Sequence, residues 1–328
     1  MKLPLICLTS LITAAVAGPA SAALIGDAAN YNVFVFGSGS FTSQNTDTMG
    51  DLAAGGNVTL QNYAVAQGIA GNPSQSPNPA RLVVGGTLTA TNGGVGSNQA
   101  GSIYTNNTPS LTSFTATGGV HPQTVVSSFS ADQTQYTNLS TALGAQTTNG
   151  STTTAAGNTL DFTGTSTGLN VFSVAGSQLT GSNTINISAP TGSTVLINVT
   201  GTSATFQNGN VNESGVSASS VIYNFYQATS VNLAGSKNPE GSILAPLAGV
   251  TGGFGAMNGQ LITDSYSGNT QFNATAFMGT LPTPVPLPPA LWLLGLGSMT
   301  LLIGVCGRGG GGWRSLSAEP ITGLTSTA

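Results

Sequence analysis

Short runs of alternating apolar and polar residues, rich in β-branched and aromatic side chains, recur along most of the chain. An alternation with a period of two is typical of β-strands that bury one face. We predict strands at residues 31–36, 57–65, 81–89, 170–174, 184–188, 194–200, 221–226, 242–245 and 259–262. Gly or Asn punctuates these runs, so the pattern predicts an all-β body built from short strands.

The residues between the runs indicate how the strands are connected. Tight Asn-Gly hairpin signals are few, and most bends carry a single Gly, Ala-Gly or Thr-Gly, as in residues 174–181. Strands joined by such corners can wind into coils that stack in parallel, each coil burying its face on the next. No fixed repeat length is visible. We therefore expect an irregular right-handed parallel β-solenoid (β-helix), with a β-sandwich as the alternative.

One segment has helical instead of alternating spacing. Its apolar residues recur at the intervals of an amphipathic helix, at Val125, Val126, Phe129, Tyr136, Leu139 and Leu143. Ser130 and Gln133 would form a capping box if the helix began there, and Gly144 suits the C′ position. We predict one amphipathic α-helix, at about 122–144, that flanks the β-body and is followed by a surface loop at 146–157.

Residues 1–22 have the composition of a secretory signal peptide. A basic residue precedes an apolar stretch, 3–16, that is too short to span a membrane. Ala20 and Ala22 supply the small residues that signal peptidases require, so we expect cleavage after Ala22. The exported body, 23–280, contains no cysteine, which excludes disulfides and thiolate metal sites from it.

A second apolar segment lies near the C-terminus. Residues 290–307 carry no charge and reach about the minimum length for a helix that crosses a bilayer core ~30 Å thick. Trp292 lies at the entry side, and Arg308 and Arg314 follow the exit side, as the positive-inside rule predicts for a cytoplasmic end. We predict a transmembrane helix at 290–307 and a cytoplasmic tail at 308–328, which hold the body outside the inner membrane.

A Pro-rich linker, 281–289, precedes this segment and contains the motif Val285, Pro286, Leu287 and Pro288. Together with the apolar segment and the arginines, the motif resembles the VPLP variant of the carboxy-terminal PEP-CTERM sorting signal. The resemblance implies recognition and cleavage by an exosortase-type protease. It also implies transient anchoring in the inner membrane and delivery to the surface or extracellular matrix of a Gram-negative bacterium. The alternative is an ordinary single-span anchor, which does not need the Pro-rich entry.

The exported part of the chain is nearly uncharged. Between residues 23 and 284, eight carboxylates are balanced only by Arg81 and Lys237, so the net charge is −6. Binding of DNA, RNA or anionic lipid needs clustered Lys and Arg, and the composition argues against these partners. Disordered chains are poor in β-branched and aromatic residues, whereas here such residues come in short alternating runs, so a folded body is expected.

The body also resembles a known family in sequence. The resemblance is carried by residues 32–36, 44–51 and 53–58, which are similar to the opening of the "choice-of-anchor A" domain, and by 240–248 and 258–262, which are similar to its closing coils. That bacterial surface family is classed as an adhesive, ice-binding-like β-helix and joins one domain to various carboxy-terminal anchors. The resemblance therefore implies an adhesive β-helix domain over 23–280, without naming its ligand.

The side chains offer little support for an enzyme. A hydrolase needs two carboxylates across a cleft, and Asp47 and Asp51, the nearest pair in sequence, are more simply explained as turn residues. A lyase needs a base beside acidic ligands, and no acidic cluster flanks Arg81 or Lys237. His121, the single histidine, is expected on the surface. We predict no catalytic, cofactor or metal site, and keep a polysaccharide-degrading β-helix as the least favoured alternative.

Two non-enzymatic functions fit the predicted surface. Threonine recurs at every second position at Thr87 and Thr89, and again at Thr163, Thr165 and Thr167, and flat arrays of this kind bind ice. Because the pairs do not recur at a regular coil spacing, we interpret them as exposed strand residues and rank ice binding second. The favoured function is an exported, non-enzymatic surface or extracellular-matrix protein, either an adhesin or an exopolysaccharide-associated structural protein. It would bind an extracellular polysaccharide or another surface ligand through many weak polar contacts.

Overall fold

The computed structural model describes residues 21–22, 24, 26–37, 39–68, 81–207, 209–233 and 238–282. All of them belong to one compact unit. Most of the predicted signal peptide, including Ala20, lies outside the described residues, as do the sorting motif, the predicted transmembrane helix and the tail. Within the described part of the chain, no helix is long and apolar enough to cross a membrane.

The described residues form short strands and two α-helices. Strands β1 to β10 are Ser21–Ala22, Val33–Val35, Phe41–Thr48, Leu52–Ala54, Val58–Val65, Arg81–Val84, Leu88–Val95, Ser102–Thr105, Ser110–Thr115 and Val120–His121. Helix α1 (Phe129–Gly144) follows, and then come β11 to β13, at Ser151–Ala155, Thr159–Thr163 and Leu169–Ala175, and helix α2 (Gly176–Gly181). Strands β14 to β24 are Thr184–Ser188, Thr194–Thr200, Ser203–Thr205, Asn210–Ser214, Val221–Asn224, Ser230–Leu233, Ser242–Gly252, Ala256–Asn258, Leu261–Gly268, Gln271–Asn273 and Leu281–Pro282. Every run predicted from the alternation contains a strand.

Apart from the antiparallel pairs β1–β24 and β11–β12, the paired strands are parallel, and the coils they form have three faces. Among the described residues, face A contains ten strands, in the spatial order β13, β15, β18, β20, β22, β2, β4, β6, β8 and β10. Face B contains β16, β19, the second halves of β20 and β22, the first halves of β3, β5 and β7, and β9. Face C contains β21, β23, the second halves of β3, β5 and β7, and a separate sheet of β11, β12, β14 and β17. Parallel stacking favours the predicted solenoid over a sandwich, whose strands are antiparallel; the right-handed sense of winding stays a prediction.

The stacking order differs from the chain order. β2 pairs with β4 on one side and with β22, from the C-terminal end of the body, on the other. The chain therefore starts in the middle of the stack and builds coils outward to β10. It crosses through α1 to the opposite end and returns through successive coils to β22. The two ends of the body meet where β1 pairs with β24. Ala22 lies in that pair, and cleavage after it stays a prediction.

Inward-pointing residues fill the interior in columns, with one member from each coil. Tyr266, Phe41 and Val58 form part of such a column and are almost completely buried. The rings of Phe41 and Tyr266 stack with their centroids 5.0 Å apart. At the corner between faces A and B the coils approach closely, since a Cβ atom on Gly56 would lie 2.0 Å from the carbonyl oxygen of Gly39. Glycine is required there because no side chain fits between the coils.

Helix α1 lies along face A. It forms a second hydrophobic cluster with outward residues of that face, including Phe34, Val171, Leu196, Ile222, Leu244 and Ile262. The helix has 16 residues, a length of about 24 Å, which matches roughly five strand spacings of ~4.8 Å. Because α1 covers much of face A, faces B and C provide the large solvent-exposed sheets.

The structure corrects the predicted start of this helix. It begins at Phe129 and not near 122, because Ser128 is the N-cap residue and its Oγ accepts a hydrogen bond from the Ala131 N–H at 3.2 Å. The capping box expected from Ser130 and Gln133 is therefore wrong. Gln133 Nε2 instead donates a hydrogen bond to Asp264 Oδ1 of the β-body at 3.0 Å.

Three other local expectations are also wrong. Gly144 is the last helical residue and not the C′ residue, and a Cβ atom on it would lie 2.7 Å from the ring of Tyr226. The loop expected at 146–157 contains strand β11, which pairs antiparallel with β12. The bend expected at 174–181 forms the short helix α2, which covers the end of face B.

Candidate adhesive surface

Face B carries a continuous row of outward-facing polar side chains, here called the threonine row. One residue from each strand of the face lies in register with the next, in the order Thr205, Asn232, Thr251, Ser267, Thr42, Thr59, Thr89 and Ser110. The last six side chains are exposed and the first two are half-buried. At the ~4.8 Å spacing of neighbouring strands, the row is about 34 Å long. It presents a hydroxyl or amide group at every strand.

A second, shorter row runs beside the threonine row. It consists of Gln44, Gln61, Thr91 and Thr112, which lie in register two positions further along β3, β5, β7 and β9. Alternate residues of a strand share a face, so both rows point to solvent. Neither row contains a charged residue. Face B can therefore contact a ligand through neutral hydroxyl and amide hydrogen bonds.

The side chains beneath these rows hold face B in place. Phe41 stacks on Tyr266 and meets the edge of Tyr63, with the latter ring centroids 6.0 Å apart. The buried hydroxyl of Tyr63 hydrogen-bonds to that of Thr48. At the end of the face, Oγ1 of Thr180 in α2 accepts a hydrogen bond from the N–H of Thr205 on β16 at 2.9 Å. A surface fixed in this way loses little conformational entropy when it binds a ligand.

The structure places only part of the predicted threonine pattern on face B. Thr89 lies in the threonine row. Thr87 precedes it, and both its N–H and its Oγ1 donate to Asn57 Oδ1 at 2.9 Å. Thr163 is exposed on β12 of face C, and the two threonines after it lie in the following loop. No local pattern in the sequence indicates the other members of the row, because each coil contributes a single one.

Asp51, considered above as a catalytic carboxylate, is a structural residue. Its side chain is buried, and its oxygens accept hydrogen bonds from the Arg81 N–H at 2.9 Å and from Arg81 Nε at 3.1 Å. Burial raises the pKa of Asp51 to about 6, although Arg81 opposes the shift. The Arg81 guanidinium also lies over the Tyr31 ring, 5.5 Å from its centroid. This ion pair joins two neighbouring coils.

The other residues considered for catalysis are dispersed. Asp47 lies on face C and does not share the surroundings of the Asp51 ion pair. Asp161, a further carboxylate of the body, lies on β12 and accepts a hydrogen bond from Asn186 Nδ2 at 2.7 Å. The Nε2 atom of His121, an exposed residue, is 2.8 Å from a backbone carbonyl oxygen. Lys237 lies outside the described residues. The structure therefore does not bring the described candidates into one site.

Two carboxylates that are distant in sequence interact in the structure. Burial and the nearby charge of Glu240 raise the pKa of Glu213 to about 7. Glu240 accepts hydrogen bonds from Asn258 Nδ2 at 2.8 and 2.9 Å, and burial raises its pKa as well. No spacing in the sequence indicated this pair. In the described ranges, no group of three or more His, Cys, Asp or Glu side chains could hold a metal ion.

The chain is similar to proteins described as adhesive or ice-binding. Residues 24–274 match the family model described as "Putative Ice-binding-like adhesive domain". One similar solved structure is an ice binding protein from an Antarctic Biological Consortium, with 12 % sequence identity and a TM-score of 0.38 over 81 % of this chain and 94 % of that one. A comparison with curated proteins found no match. The range matched by the family model includes every strand of face B.

Proposed function

The chain belongs to the family of ice-binding-like adhesive domains, and we propose that it is an exported adhesin whose binding surface is face B. The threonine row carries this proposal, because it repeats a neutral polar group at each strand over about 34 Å. Many weak hydrogen bonds along such a row act together on a polymer, so no single residue dominates binding. The ligand we infer is an extracellular polysaccharide, whose regularly repeated hydroxyl groups complement an uncharged row of donors and acceptors.

The adhesin is proposed to be non-enzymatic. This part of the proposal is supported by Asp51, which is bonded to Arg81, and by Asp161, which is bonded to Asn186. A glycoside hydrolase needs two carboxylates that face one sugar unit. The polar residues of face B contain no carboxylate, so the surface we assign to binding holds no group suited to that chemistry.

We place the mature protein outside the cell, at the surface or in the extracellular matrix. The adhesive family supports this location, and the sequences of both ends supply the proposed route. The signal peptide, 1–22, would direct export, and residues 290–307 would anchor the chain transiently in the inner membrane. An exosortase-type protease would then act at the motif 285–288. Replacing Pro286 and Pro288 with Ala should leave an unprocessed, membrane-associated form, which mass spectrometry would detect; normal processing would contradict this route.

Ice binding is a second candidate, and it is favoured by the composition of the same row. Five of its eight members are threonines, which present a methyl group and a hydroxyl together on a flat strand face. Inhibition of ice recrystallisation by the purified chain would support this function. Polysaccharide binding without an effect on ice growth would favour the adhesin.

The adhesin is tested by sedimenting the purified full-length chain with insoluble polysaccharides and assaying reducing ends in the same samples. Thr59→Lys places a long charged side chain in the centre of the threonine row, and we expect binding to weaken about tenfold or more. Thr153→Lys is the matched control, because Thr153 is an exposed strand residue on β11 of face C. Equal binding by the two variants would contradict the assignment to face B. New reducing ends would contradict the non-enzymatic role.

A further inference from the structure

A groove of about 720 Å³ opens at the edge between faces B and C, beside the threonine row. We call it the edge groove. The polar side chains that line it include Asp47, Asn62, Asn92, Gln67 and Gln271. It draws residues from four successive coils, and none of its lining residues belongs to the threonine row.

The edge groove exists because the side chains on face C become smaller from one coil to the next. Asp47 on β3 is in register with Ala64 on β5 and with Gly94 on β7. Gly94 has no room for a side chain, since its Cβ atom would lie 2.6 Å from the carbonyl oxygen of Thr115. Because the side chain shrinks from the carboxylate of Asp47 to the methyl group of Ala64 and the hydrogen of Gly94, a depression is left with Asp47 at one end.

A ladder of amides forms the side of the groove nearest to face B. Asn45, Asn62 and Asn92 occupy the same corner of three coils, each with a left-handed φ between 49° and 56°. Asn62 Nδ2 donates to Asn45 Oδ1 at 2.8 Å, and Asn92 Nδ2 donates to Asn62 Oδ1 at 3.1 Å. The ladder fixes the orientation of each amide. Every amide nitrogen has two N–H groups, so Asn62 and Asn92 each keep one donor beyond the ladder.

Asp47 supplies a hydrogen-bond acceptor at one end of the groove. Its Oδ1 atom is buried and has no hydrogen-bond partner among the described residues. A buried oxygen without a donor is unfavourable, and χ2 of aspartate rotates over a broad range. A hydroxyl donor in the groove would therefore provide the hydrogen bond that the protein does not.

An exposed aromatic side chain lies on the same edge. Phe254 has 80 % of its surface exposed. Its neighbour Gly255 accepts a hydrogen bond through its carbonyl oxygen from the N–H of Gln271, a lining residue, at 2.9 Å. Phe254 therefore lies one coil from the groove. An exposed aromatic ring beside a polar groove offers an apolar face for the C–H groups of a sugar ring.

From these features we propose that the edge groove binds one or two pyranose units of a neutral polysaccharide, with Asp47 and the amides bonded to hydroxyl groups and Phe254 beneath a ring face. Among the lining residues that the structure describes there is no Arg or Lys, so they offer no cation to neutralise a uronic acid or sulfate group. This inference rests on the proposed adhesive function. In this proposal the edge groove selects one sugar unit, while face B adheres along the length of the polymer.

The test uses the full-length chain and four fluorescently labelled oligosaccharides: cellohexaose, maltohexaose, mannohexaose and, as an acidic probe, an oligogalacturonate. We expect at least one neutral probe to bind and the acidic probe not to bind. Asp47→Asn, which keeps the side-chain shape, and Phe254→Ala, which changes an exposed residue, should each weaken that binding about tenfold. Thr153→Lys, outside both the groove and the threonine row, should leave hexasaccharide binding unchanged. Thr59→Lys should weaken binding to the insoluble polymer.

The outcomes separate the groove from the adhesive face. Loss of hexasaccharide binding in Asp47→Asn and Phe254→Ala, but not in Thr153→Lys, supports the edge groove. Polymer binding that depends on Thr59, without binding of any neutral hexasaccharide, overturns the groove and leaves the adhesin intact. Hexasaccharide binding that Phe254→Ala and Asp47→Asn do not alter also overturns it. Melting temperatures of both variants close to that of the wild type exclude unfolding as the cause of a loss.

Discussion

Asn198 on β15 donates a hydrogen bond from Nδ2 to the carbonyl oxygen of Leu143 at 2.8 Å. Leu143 lies in the last turn of α1, where the carbonyl groups have no intrahelical donor. On the next strand, Asn224 donates to the carbonyl oxygen of Ser140 at 2.9 Å and to Asn198 Oδ1 at 2.8 Å. Two amides of face A thus bind the C-terminal end of the helix and hold it against that face.

Removing the second of these amides should destabilise the whole body. Asn224→Ala eliminates bonds to the carbonyl and hydroxyl groups of Ser140 and to Asn198, all of them buried. We expect the free energy of unfolding to fall by about 2–4 kcal/mol, measured by urea denaturation. Asn212→Ala, which removes an exposed bond to Asn186, is the control and should cost less than about 1 kcal/mol. Equal losses would show that these amides do not secure the helix.

The corner between faces A and B should reject even one methyl group. In Gly56→Ala the new Cβ atom would lie 2.0 Å from a backbone oxygen that a rotamer change cannot move. We expect a loss of about 3 kcal/mol or more, or failure to fold, because two coils must separate. Gly181→Ala, at the end of α2, meets no atom within 4 Å and should keep the wild-type melting temperature. A tolerated Gly56→Ala variant would show that the coils can shift apart.

The ion pair between Asp51 and Arg81 should be needed as a pair. Arg81→Met removes the cation and leaves the buried Asp51 carboxylate without its charge partner, at a cost of about 3–5 kcal/mol. The double variant Asp51→Asn with Arg81→Met removes both charges and should recover part of that loss. Chemical denaturation of the two proteins measures the difference. A double variant less stable than Arg81→Met would contradict this account.

The body should be more stable in mild acid than at neutral pH. Burial raises the pKa values of Asp51 and Asp132 to about 6 and that of Glu213 to about 7, with the Asp27 charge adding to the shift at Asp132. These carboxyls bind protons more tightly when folded than when unfolded. Their stabilising effect is complete below the unfolded values near 4 and is lost as the pH rises through 6 to 7. We expect a higher melting temperature at pH 5 than at pH 7.5.

The variant Asp132→Asn supplies the control for this pH dependence. It replaces a buried carboxyl that titrates by an amide that does not, so the difference in melting temperature between pH 5 and pH 7.5 should shrink. Gly181→Ala, which removes no titratable group, should leave that difference as it is in the wild type. A melting temperature that rises with pH in the wild type would contradict the assigned shifts.

The strands were predictable because a strand that buries one face has alternating apolar and polar residues in its own sequence. Residues 184–188 and 194–200 match β14 and β15 at both ends. Which strands lie next to each other in the sheet was not predictable. Val33 pairs with Leu261 because distant segments pack against each other, and no local pattern records that contact. The helix was detected from its apolar spacing, but its start was placed too early because Val125 and Val126 extend the same apolar pattern before the N-cap.

The threonine row was hidden from the sequence for a related reason. Thr42, Thr59 and Thr89 are neighbours in the row but are separated by unequal lengths of chain. Each is a single polar residue in an ordinary alternating strand. Of the threonines that recur at every second position (Thr87, Thr89, Thr163, Thr165 and Thr167), only Thr89 belongs to the row. Asp47 was interpreted as a turn residue because the small residues that open the edge groove lie on other coils.

The position of β2 between β4 and β22 also determines when folding can finish. A chain that emerges with its N-terminus first presents β2, β4 and the following coils long before Leu261–Gly268 is available to cover the exposed edge of β2. Pairings between such distant segments form slowly because the intervening chain must first be ordered. The last coil therefore completes the stack. A chain interrupted before this coil would leave the edge of β2, in the middle of the stack, unpaired. Delayed closure of this kind would keep the edge of β2 open until the chain has been synthesised almost completely, which is compatible with the proposed export.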